Sequence, residues 1–394
     1  MGLFTAYVVL DPPPLDTIER IQMLSLGTPA PFSKKYFNFP FLRETQHLRL
    51  DLDELTHIVE GNGTDLYKHP GLPKTVFKLQ TWPGTTEVLK DGQMLAYLNH
   101  KDPEKTYVPK FGSLFSYNNP EYGKKFFGVA MEELGRNLQD MRWGLDDHRY
   151  LQLCQTLLFY HQHGILYGDV KPDNFGLDRS GRFVKGFDFD ASLLLLPGEK
   201  PREISTVRPY RAPELLFGLR YGQEIDVFGL GCMIYELYVG EKLIEWNGPQ
   251  SSEADDDRDN LAHLHVILER FQRFPKDPYI YTSSFWKYFE HDPIKNSFKL
   301  KELGPGVSIQ RGYFVDILKR RFLEDGVPEH IGNDFIDLLT KMLELNPKKR
   351  ISALGAVEHP FFDHFQTNEA AKKSQPEPAR KKMKVKHEHP KAKK

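Results

Sequence analysis

The stretch GDVKPDNFGL, residues 168–177, carries most of the information about fold and chemistry in this sequence. Within it, Asp169, Lys171 and Asn174 follow the spacing D-x-K-x-x-N and therefore share one short loop. Phosphoryl transfer needs a carboxylate near the attacking hydroxyl, a cation near the moving phosphoryl group and oxygen ligands for Mg²⁺. The loop supplies one residue of each kind. A proline turn with charged residues would explain this string equally well if it stood alone.

A second carboxylate follows at a spacing that suits the same chemistry. About 14 residues downstream of Asn174, the string GFDFDAS (186–192) predicts an apolar strand that ends in Asp188. A carboxylate at that point could hold a metal ion beside Asn174, because Mg²⁺ prefers oxygen ligands. Two unrelated turns that happen to contain charged residues are a poor explanation for both strings at this spacing.

The remaining sequence indicates a strand-rich part followed by a helix-rich part, which predicts an α+β fold with two segregated lobes. Short strand-like runs separated by turns begin near Leu55. In 149–166, apolar residues recur at i, i+3, i+4, i+7 and i+8 from Tyr150, which predicts an amphipathic helix. The segment 226–240, DVFGLGCMIYELYVG, is apolar on nearly all sides and predicts a buried helix.

Composition is that of an ordinary globular protein, with 40% hydrophobic and 27% charged residues. No apolar run approaches the roughly 20 residues that span a bilayer, so we expect no membrane partner. Cys154 and Cys232 lie in helix-like apolar segments, which favours packing roles in a reducing compartment. Residues 371–394 hold ten basic and two acidic residues, so a basic tail follows an acidic body.

Together, the two strings resemble the catalytic loop and the D-F-G metal site of eukaryotic protein kinases. The kinase pattern continues in chain order over about residues 55–365. RPYRAPELL (208–216) resembles the A-P-E segment, IDVFGLGCMIYEL (225–237) resembles the buried helix of the large lobe, and NPKKRISALGAVEHPFF (346–362) resembles the final helical segment. The resemblance implies a bilobal protein-kinase-like fold with a β-rich N-lobe and a helical C-lobe.

The same resemblance gives the expected domain boundaries of the chain and the group of protein kinases to which it is most similar. Tyr210 and Arg211 in TVRPYRAPE, and the insertion that contains DNLAHLHVILERFQRFPKD (259–277), resemble the CMGC group. The nearest resemblance within it is to the LAMMER, SR-protein and dual-specificity Tyr-regulated kinases, and Gly168 in place of the arginine of H-R-D is similar to the first two. The expected divisions are an N-terminal extension at 1–52, a kinase domain at 53–366 with lobes at about 53–133 and 134–366, an insert at about 242–330, and a disordered basic tail at 367–394.

The resemblance assigns roles by position. Asp169 and Lys171 would be the catalytic pair, while Asn174 and Asp188 would bind Mg²⁺. ATP would contact the Gly-rich loop, the phosphate-binding lysine, the gatekeeper and the hinge, which correspond to Gly61, Gly63, Lys78, Met131, Glu132 and Leu134, together with Asn174. Structural roles fall to Glu214 and Arg350 as an ion pair, to Asp226 as the acceptor of catalytic-loop amides, and to Arg211 in the substrate groove.

Several positions depart from the kinase pattern. Tyr167 and Gly168 replace the His and Arg of H-R-D, so activation through a phosphate on that arginine should be absent. Asp190 replaces the glycine of D-F-G, a position where glycine tolerates a positive φ. Asp91 stands where the helix usually offers a glutamate to Lys78, and one methylene less predicts that the ion pair is hard to close.

Further departures concern the nucleotide pocket and the segment before A-P-E. Leu66 stands at the third glycine position of the Gly-rich loop, Gly92 should weaken its helix, and Gly176 stands where a large apolar residue usually lies beneath adenine. Val207 replaces a threonine that usually bonds the catalytic residues, and a shift of one residue would let Thr206 serve instead. Ser205 and Thr206 are also candidate phosphorylation sites.

The prediction is a monomeric serine/threonine kinase that uses ATP and Mg²⁺ and acts on a protein substrate. One alternative is a pseudokinase scaffold, which the departures favour and the intact Lys78 and Asp188 oppose. A kinase for a small molecule is the other alternative, and the A-P-E segment argues against it.

The tail adds a prediction about location. ARKKMKVK (379–386), preceded by Lys372 and Lys373, resembles a nuclear localisation signal. We therefore expect the protein in the nucleus, and its presence in the cytoplasm as well is compatible with this expectation. We also expect an import receptor that binds residues 372–386. A solvated tail without a receptor and a tail that binds an acidic partner are the competing interpretations. From Gln366 onward the sequence has no aromatic residue, so no direct nucleic-acid binding by stacking is expected.

Overall fold

The computed structural model describes fourteen segments of the chain: 5–9, 42–46, 55–60, 64–81, 87–119, 124–139, 141–145, 147–195, 206–247, 256–272, 287–292, 297–304, 307–309 and 311–365. Gly61, Gly63 and Ser205 lie outside these residues, as does the basic tail. The predictions made for those positions therefore remain predictions.

Eight α-helices lie in the described segments. They are α1 (Glu87–Lys101), α2 (Arg149–Gln162), α3 (Pro213–Leu216), α4 (Glu224–Val239), α5 (Asp256–Phe271), α6 (Phe314–Asp325), α7 (Glu329–Met342) and α8 (Ala353–Val357). Short 3₁₀ turns occur at Pro172–Asn174, Arg208–Tyr210 and Pro360–Phe362. None of the helices in the described part of the chain is long and apolar enough to cross a bilayer.

The strands divide between one large sheet and four small ones. The strands of the large sheet are β1 (Thr5–Val9), β2 (Leu42–Gln46), β3 (Thr56–Glu60), β4 (Asp65–Lys68), β5 (Thr75–Thr81), β6 (Phe111–Asn119) and β7 (Lys124–Glu132). The short strands are β8 (Ile165–Leu166), β9 (Phe175–Leu177), β10 (Val184–Gly186), β11 (Leu193–Leu194), β12 (Trp246–Asn247), β13 (Phe289–Asp292), β14 (Ser297–Leu300) and β15 (Ser308–Ile309).

The N-lobe is an antiparallel sheet in the order β2-β1-β6-β7-β5-β4-β3, and α1 packs against it. Strand β1 pairs with β6, so part of the N-terminal extension continues the sheet. The sequence of residues 1–50 has no sustained period, and it did not predict these two strands. Strand β5 pairs with β7 so that Lys78 lies opposite Val129.

The C-lobe is organised around α4, which is buried over almost its whole length. It ends at Gly240, whose φ of +95° is a left-handed conformation that glycine adopts without steric cost. Helices α2 and α7 pack beside α4 and contribute to one continuous apolar core. The predicted two-lobed α+β architecture is confirmed, and so are the amphipathic helix at α2 and the buried helix at α4.

Two features of the C-lobe hold the A-P-E segment. Glu214 and Arg350 form a fully buried bidentate ion pair with distances of 2.6 and 2.9 Å, and Arg350 also donates to the carbonyl of Glu224. In the insert, Asn260 on α5 accepts a hydrogen bond of 2.9 Å from Arg208. The insert therefore contacts the chain just before the A-P-E motif.

Replacing Arg350 with leucine should reduce the free energy of unfolding by about 3–5 kcal/mol, because the Glu214 carboxylate would stay buried without its partner. Urea unfolding followed by circular dichroism measures this change. The matched control is Arg321→Ala, since Arg321 is exposed and its ion pair with Asp325 should be worth less than about 1 kcal/mol. Equal losses in the two variants would contradict the prediction.

Candidate active site

The predicted site residues meet at a cavity of about 560 Å³ between the sheet and the C-lobe loops. This volume lies within the range of small-molecule sites. Its apolar lining comes from Leu66, Val76, Met131, Leu134 and Phe187. Its charged lining includes Lys78, Asp91, Asp169, Lys171, Asp188 and Asp190. Charged and apolar groups thus lie along one cavity, as a ligand with an apolar ring and an anionic end would require.

Asp226 at the start of α4 fixes the position of the catalytic loop. Its carboxylate accepts hydrogen bonds of 2.8 Å from the backbone amides of both Tyr167 and Gly168, and it lies 2.9 Å from His161 Nε2. The carboxylate is almost fully buried, so its interactions are little screened by water. The loop that carries Asp169 therefore begins from a rigid support on the most buried helix.

Within the loop, Lys171 and Asn174 both contact the carboxylate of Asp169. Lys171 Nζ lies 2.6 Å from Asp169 Oδ2, and Asn174 Nδ2 donates to the same oxygen at 2.8 Å. Asn174 Nδ2 also donates to the backbone carbonyl of Asp169 at 3.0 Å. These contacts orient the carboxylate and keep the predicted catalytic pair and one predicted metal ligand within one hydrogen-bonded unit.

Lys78 lies between two carboxylates. Its Nζ is 2.8 Å from Asp91 Oδ2 and 2.5 Å from Asp188 Oδ1. Burial by itself lowers the pKa of Lys78, but the charges of Asp91 and Asp188 outweigh this effect and raise the pKa above its ordinary value. The lysine is therefore held as a cation. Asp91 Oδ1 also accepts the backbone amide of Phe189 at 2.9 Å, which ties helix α1 to the metal-site segment.

The expectation that Asp91 is too short to close its ion pair with Lys78 is wrong. The reason lies in the next residue, Gly92, which lets α1 approach the sheet closely. A Cβ atom at position 92 would lie 2.3 Å from Leu114 Cδ2 and 3.3 Å from Val129 Cγ2. The helix is also continuous through Gly92, so the expected weakening does not interrupt it.

The positive φ expected at position 190 is found instead at Asp188. Asp188 has a φ of +64°, whereas Asp190 is not among the described residues with a positive φ. Aspartate tolerates the left-handed region better than most residues. The replacement of glycine by Asp190 thus brings no backbone strain, and its consequence is an added carboxylate on the cavity wall.

Tyr167 links the catalytic loop to the metal-site segment. It is fully buried, and its hydroxyl donates a hydrogen bond to the carbonyl of Phe187. Its ring stacks on Tyr160 at 5.5 Å and meets Phe189 edge-on at 5.5 Å. The sequence identified Tyr167 only as a replacement, and no local pattern could have indicated this long-range contact.

The β9–β10 hairpin brings the two predicted metal ligands together. Phe175, directly after Asn174, pairs with Gly186, and the amide of Phe187 donates to the carbonyl of Asn174 at 3.0 Å. Asn174 Nδ2 donates a hydrogen bond to Asp169, so the side-chain oxygen of Asn174 is the atom that would coordinate a metal ion. An amide oxygen and the carboxylate of Asp188 are the hard oxygen ligands that suit Mg²⁺, so the residues present fit this ion.

The gatekeeper and hinge residues lie at the end of β7 and directly after it. Met131, Glu132 and Leu134 all line the cavity. The side chain of Glu132 accepts a 2.8 Å hydrogen bond from the buried Lys185, a contact that the sequence did not predict. Leu66, at the third position of the Gly-rich pattern, lies in β4 opposite Lys78 and lines the cavity.

Thr206, the alternative considered to Val207, contacts Arg211. Thr206 Oγ1 accepts a hydrogen bond of 3.1 Å from Arg211 Nε, and the carbonyl of Thr206 accepts two more from the same guanidinium. The hydrogen bonds described for the Asp169 carboxylate come from Lys171 and Asn174. Val207 is 40% exposed. The hydrogen bonds described for Thr206 Oγ1 and its carbonyl thus come from Arg211, five residues further along the chain.

Comparison with known proteins gives a consistent family. A model of the protein kinase domain matches residues 145–362. The chain is 29% identical over 260 residues to the serine/threonine-protein kinase Doa of Drosophila melanogaster, an alignment that covers 61% of this chain and 29% of Doa. It is 26% identical over 251 residues to cyclin-dependent kinase-like 4 of Mus musculus, with 63% of each protein covered.

A third relative is also a kinase. The chain is 31% identical over 213 residues to glycogen synthase kinase 1 of Pyricularia oryzae, which covers 54% of this chain and 45% of that protein. The chain therefore spans less than two thirds of the length of each of these relatives. The relatives include kinases of the CMGC type, so the expected group is confirmed at that level.

The added carboxylate of Asp190 predicts a pH dependence of stability. Burial, followed by repulsion from Asp188, raises the pKa of Asp190 from 3.8 to about 6. Because the folded state binds this proton more tightly, the contribution of Asp190 to stability is full below 3.8 and is lost as the pH rises through about 6. Asp190→Asn should therefore stabilise the protein more at neutral pH than in acid.

Urea unfolding in metal-free buffer at about pH 4 and about pH 7 measures this difference, since the charge of a bound cation would change the result. Asp316→Asn, a change of an exposed aspartate on α6, is the matched control. A gain in stability that is the same at both pH values would contradict the assignment.

Proposed function

This chain belongs to the protein kinase family, since the matching domain covers more than half of it, and from that premise we propose that it transfers the γ-phosphoryl group of ATP to a serine or threonine of a protein substrate. The observation that carries the proposal is the convergence of two charged units on one cavity. Lys78 with Asp91 and Asp188 forms one unit, and Asp169 with Lys171 and its neighbour Asn174 forms the other.

The proposed division of labour follows from the contacts of each residue. Lys78, held as a cation, would bind the α- and β-phosphates. Asn174 and Asp188 would hold Mg²⁺, which neutralises phosphate charge when bound. Asp169 would orient the substrate hydroxyl and accept its proton, and Lys171 would stabilise negative charge on the moving phosphoryl group. Catalysis of this kind depends mainly on positioning and electrostatics, which the anchored loop provides.

The identity of the substrate is a further part of the proposal. A protein substrate is supported over a small molecule by the segment that leads to the A-P-E motif. Two arginines of this segment hold it in place, since Arg211 contacts Thr206 and Arg208 contacts the insert. Within the CMGC type, we propose the LAMMER, SR-protein and dual-specificity Tyr-regulated kinases as the nearest group, and the glycine at position 168 supports the first two.

A pseudokinase scaffold is the second candidate. The observation in its favour is Val207, which leaves the catalytic residues without the usual threonine contact. The closed ion pair between Lys78 and Asp91 removes one of the reasons for this alternative. Both the kinase and the scaffold would bind a protein partner, but only the kinase would transfer phosphate. A turnover measurement therefore separates the two candidates.

Asp169→Asn should reduce turnover by about 100-fold or more, because the group that accepts the proton is lost, while ATP binding is retained. The measurement is transfer of labelled phosphate from ATP–Mg²⁺ to a mixed library of basic and Pro-directed peptides. Asp188→Asn is the second variant and should abolish incorporation. Asp316→Asn, which alters an exposed position on α6, should leave turnover unchanged. Near-normal turnover of Asp169→Asn would refute its role.

If the unaltered protein incorporates no phosphate and its melting temperature does not change with ATP and Mg²⁺, the scaffold is favoured over the kinase. A melting temperature that rises without incorporation indicates a scaffold that retains nucleotide. Addition of a cell extract to the first assay tests for a missing activator.

We also propose that the basic tail directs nuclear import through a receptor that binds residues 372–386. Ten basic residues in 371–394 support this proposal by charge. A fluorescent protein fused to residues 366–394 should accumulate in the nucleus, as observed by microscopy. A fusion in which Lys381 and Lys382 are changed to alanine is the control and should lose this enrichment. Diffuse fluorescence of the unaltered fusion would refute the import proposal.

A further inference from the structure

We propose that Gln80 on β5 is a positioning residue for phosphoryl transfer, because it holds the first turn of α1 against the sheet and thereby places Asp91 beside Lys78. The inference rests on the proposed function, since it names a residue that sets the geometry of the same site. Of these three described residues, Lys78 and Asp91 line the cavity and Gln80 does not. Gln80 would therefore act through the ion pair and not on the nucleotide itself.

The first observation is a pair of hydrogen bonds between the buried side chain of Gln80 and the first turn of α1. Gln80 Oε1 accepts the backbone amide of Val88 at 3.3 Å, and Gln80 Nε2 donates to Glu87 Oε2 at 3.3 Å. The first four amides of a helix have no partner within the helix. Val88 is completely buried, so Gln80 supplies a partner that bulk water could not. Removing Gln80 takes this hydrogen bond from the start of the helix.

The second observation is that this contact lies alongside the ion pair between Lys78 and Asp91. Lys78 and Gln80 are two residues apart on β5, so their side chains leave the same face of the strand about 7 Å apart. Val88 and Asp91 are three residues apart on α1, so they lie on the same side of the helix. The ion pair spans 2.8 Å and the contact to the amide spans 3.3 Å. Strand and helix are therefore joined at two points.

Two points of contact fix the direction of α1 over the sheet, whereas a helix held at one point could turn about it. The carboxylate of Asp91 is sensitive to such a turn, because a hydrogen bond weakens beyond about 3.2 Å. Its second oxygen accepts the amide of Phe189 at 2.9 Å, so a change in the direction of the helix would also reach the metal-site segment. Gln80 thus supports both contacts of Asp91.

The two partners of Gln80 need the two ends of a carboxamide. The amide of Val88 can only donate a hydrogen bond and the carboxylate of Glu87 can only accept one, while glutamine offers an acceptor and two donors. Gln80→Glu would keep the acceptor but would place a second carboxylate against Glu87. Adding Glu87→Gln to Gln80→Glu restores both hydrogen bonds with the amide and the carboxylate exchanged. This exchanged pair separates the hydrogen bonds from the size of the side chain.

Phosphate transfer by the full chain to the peptide library tests the inference, at saturating ATP–Mg²⁺. Gln80→Met keeps the length of the side chain and loses both hydrogen bonds, so it should lower turnover about tenfold through the misplaced ion pair. Gln80→Glu should also lower turnover. The exchanged pair should return turnover to within about twofold of Glu87→Gln alone, a comparison that cancels the loss of the Glu87 charge.

A change of background separates a positioning role from a general effect on stability. In Asp91→Asn the charged contact is already absent, so adding Gln80→Met should change turnover by less than about twofold. Ser352→Ala is the matched control, because it removes a helix-cap hydrogen bond of 3.1 Å from the amide of Gly355 in the C-lobe. It should lower the melting temperature, as Gln80→Met does, but leave turnover within about twofold of the wild type.

Hydrogen exchange followed by mass spectrometry gives a readout that does not use catalysis. Gln80→Met should speed exchange in the peptide that begins α1, and the exchanged pair should slow it again. Circular dichroism melting identifies any variant that fails to fold. If Gln80→Met fails to fold, or if Asp91→Asn leaves too little turnover to measure, Gln80→Glu and the exchanged pair decide the question.

Three results would each overturn the inference while leaving the proposed function intact. They are turnover of Gln80→Met within about twofold of the wild type, no recovery in the exchanged pair, and a further loss of about tenfold when Gln80→Met is added to Asp91→Asn. Absence of phosphate transfer by the wild type would refute the proposed function, and the inference would fall with it. The failures are distinguishable because only the last appears in the unaltered protein.

Discussion

The ion pair between Lys78 and Asp91 is the contact on which the active-site arrangement depends. Asp91 reaches Lys78 on the sheet with one carboxylate oxygen and the amide of Phe189 with the other, so one side chain joins the sheet, helix α1 and the metal-site segment. An aspartate is shorter than a glutamate by one C–C bond of roughly 1.5 Å, and the helix must lie closer to the sheet to compensate. Gly92 permits this approach, because a Cβ there would overlap Leu114.

The catalytic loop has a second, independent support in the C-lobe. The Asp226 carboxylate fixes the amides at its start, and the hydroxyl of Tyr167 joins it to the carbonyl of Phe187. Neither support uses the arginine that usually receives an activating phosphate, since position 168 is glycine. The loop is thus held by groups that are buried and present in the unmodified chain.

Sequence reasoning was strongest where a short pattern carries the information. The D-x-K-x-x-N loop, the amphipathic period of α2 and the apolar run of α4 depend on local spacing, and the corresponding loop, helices and lobes are where that spacing indicates. It was weakest where the outcome depends on two distant residues. The closure of Lys78 on Asp91 depends on packing against Leu114, and the role of Tyr167 depends on Phe187. Strand β1 gave no signal because strand pairing is set by its partner β6.

One departure from the kinase pattern is accompanied by a second change beside it, and this bears on the choice between enzyme and scaffold. Asp91 is accompanied by Gly92, a small residue that gives the helix the space to approach the sheet. A chain released from catalysis has no physical reason to keep the position of its phosphate-binding lysine by a second change. Loss of function would be expected to leave unpaired defects, such as a buried charge without a partner. Lys78 is buried between the carboxylates of Asp91 and Asp188, and this retained geometry supports the proposal of a kinase over that of a scaffold.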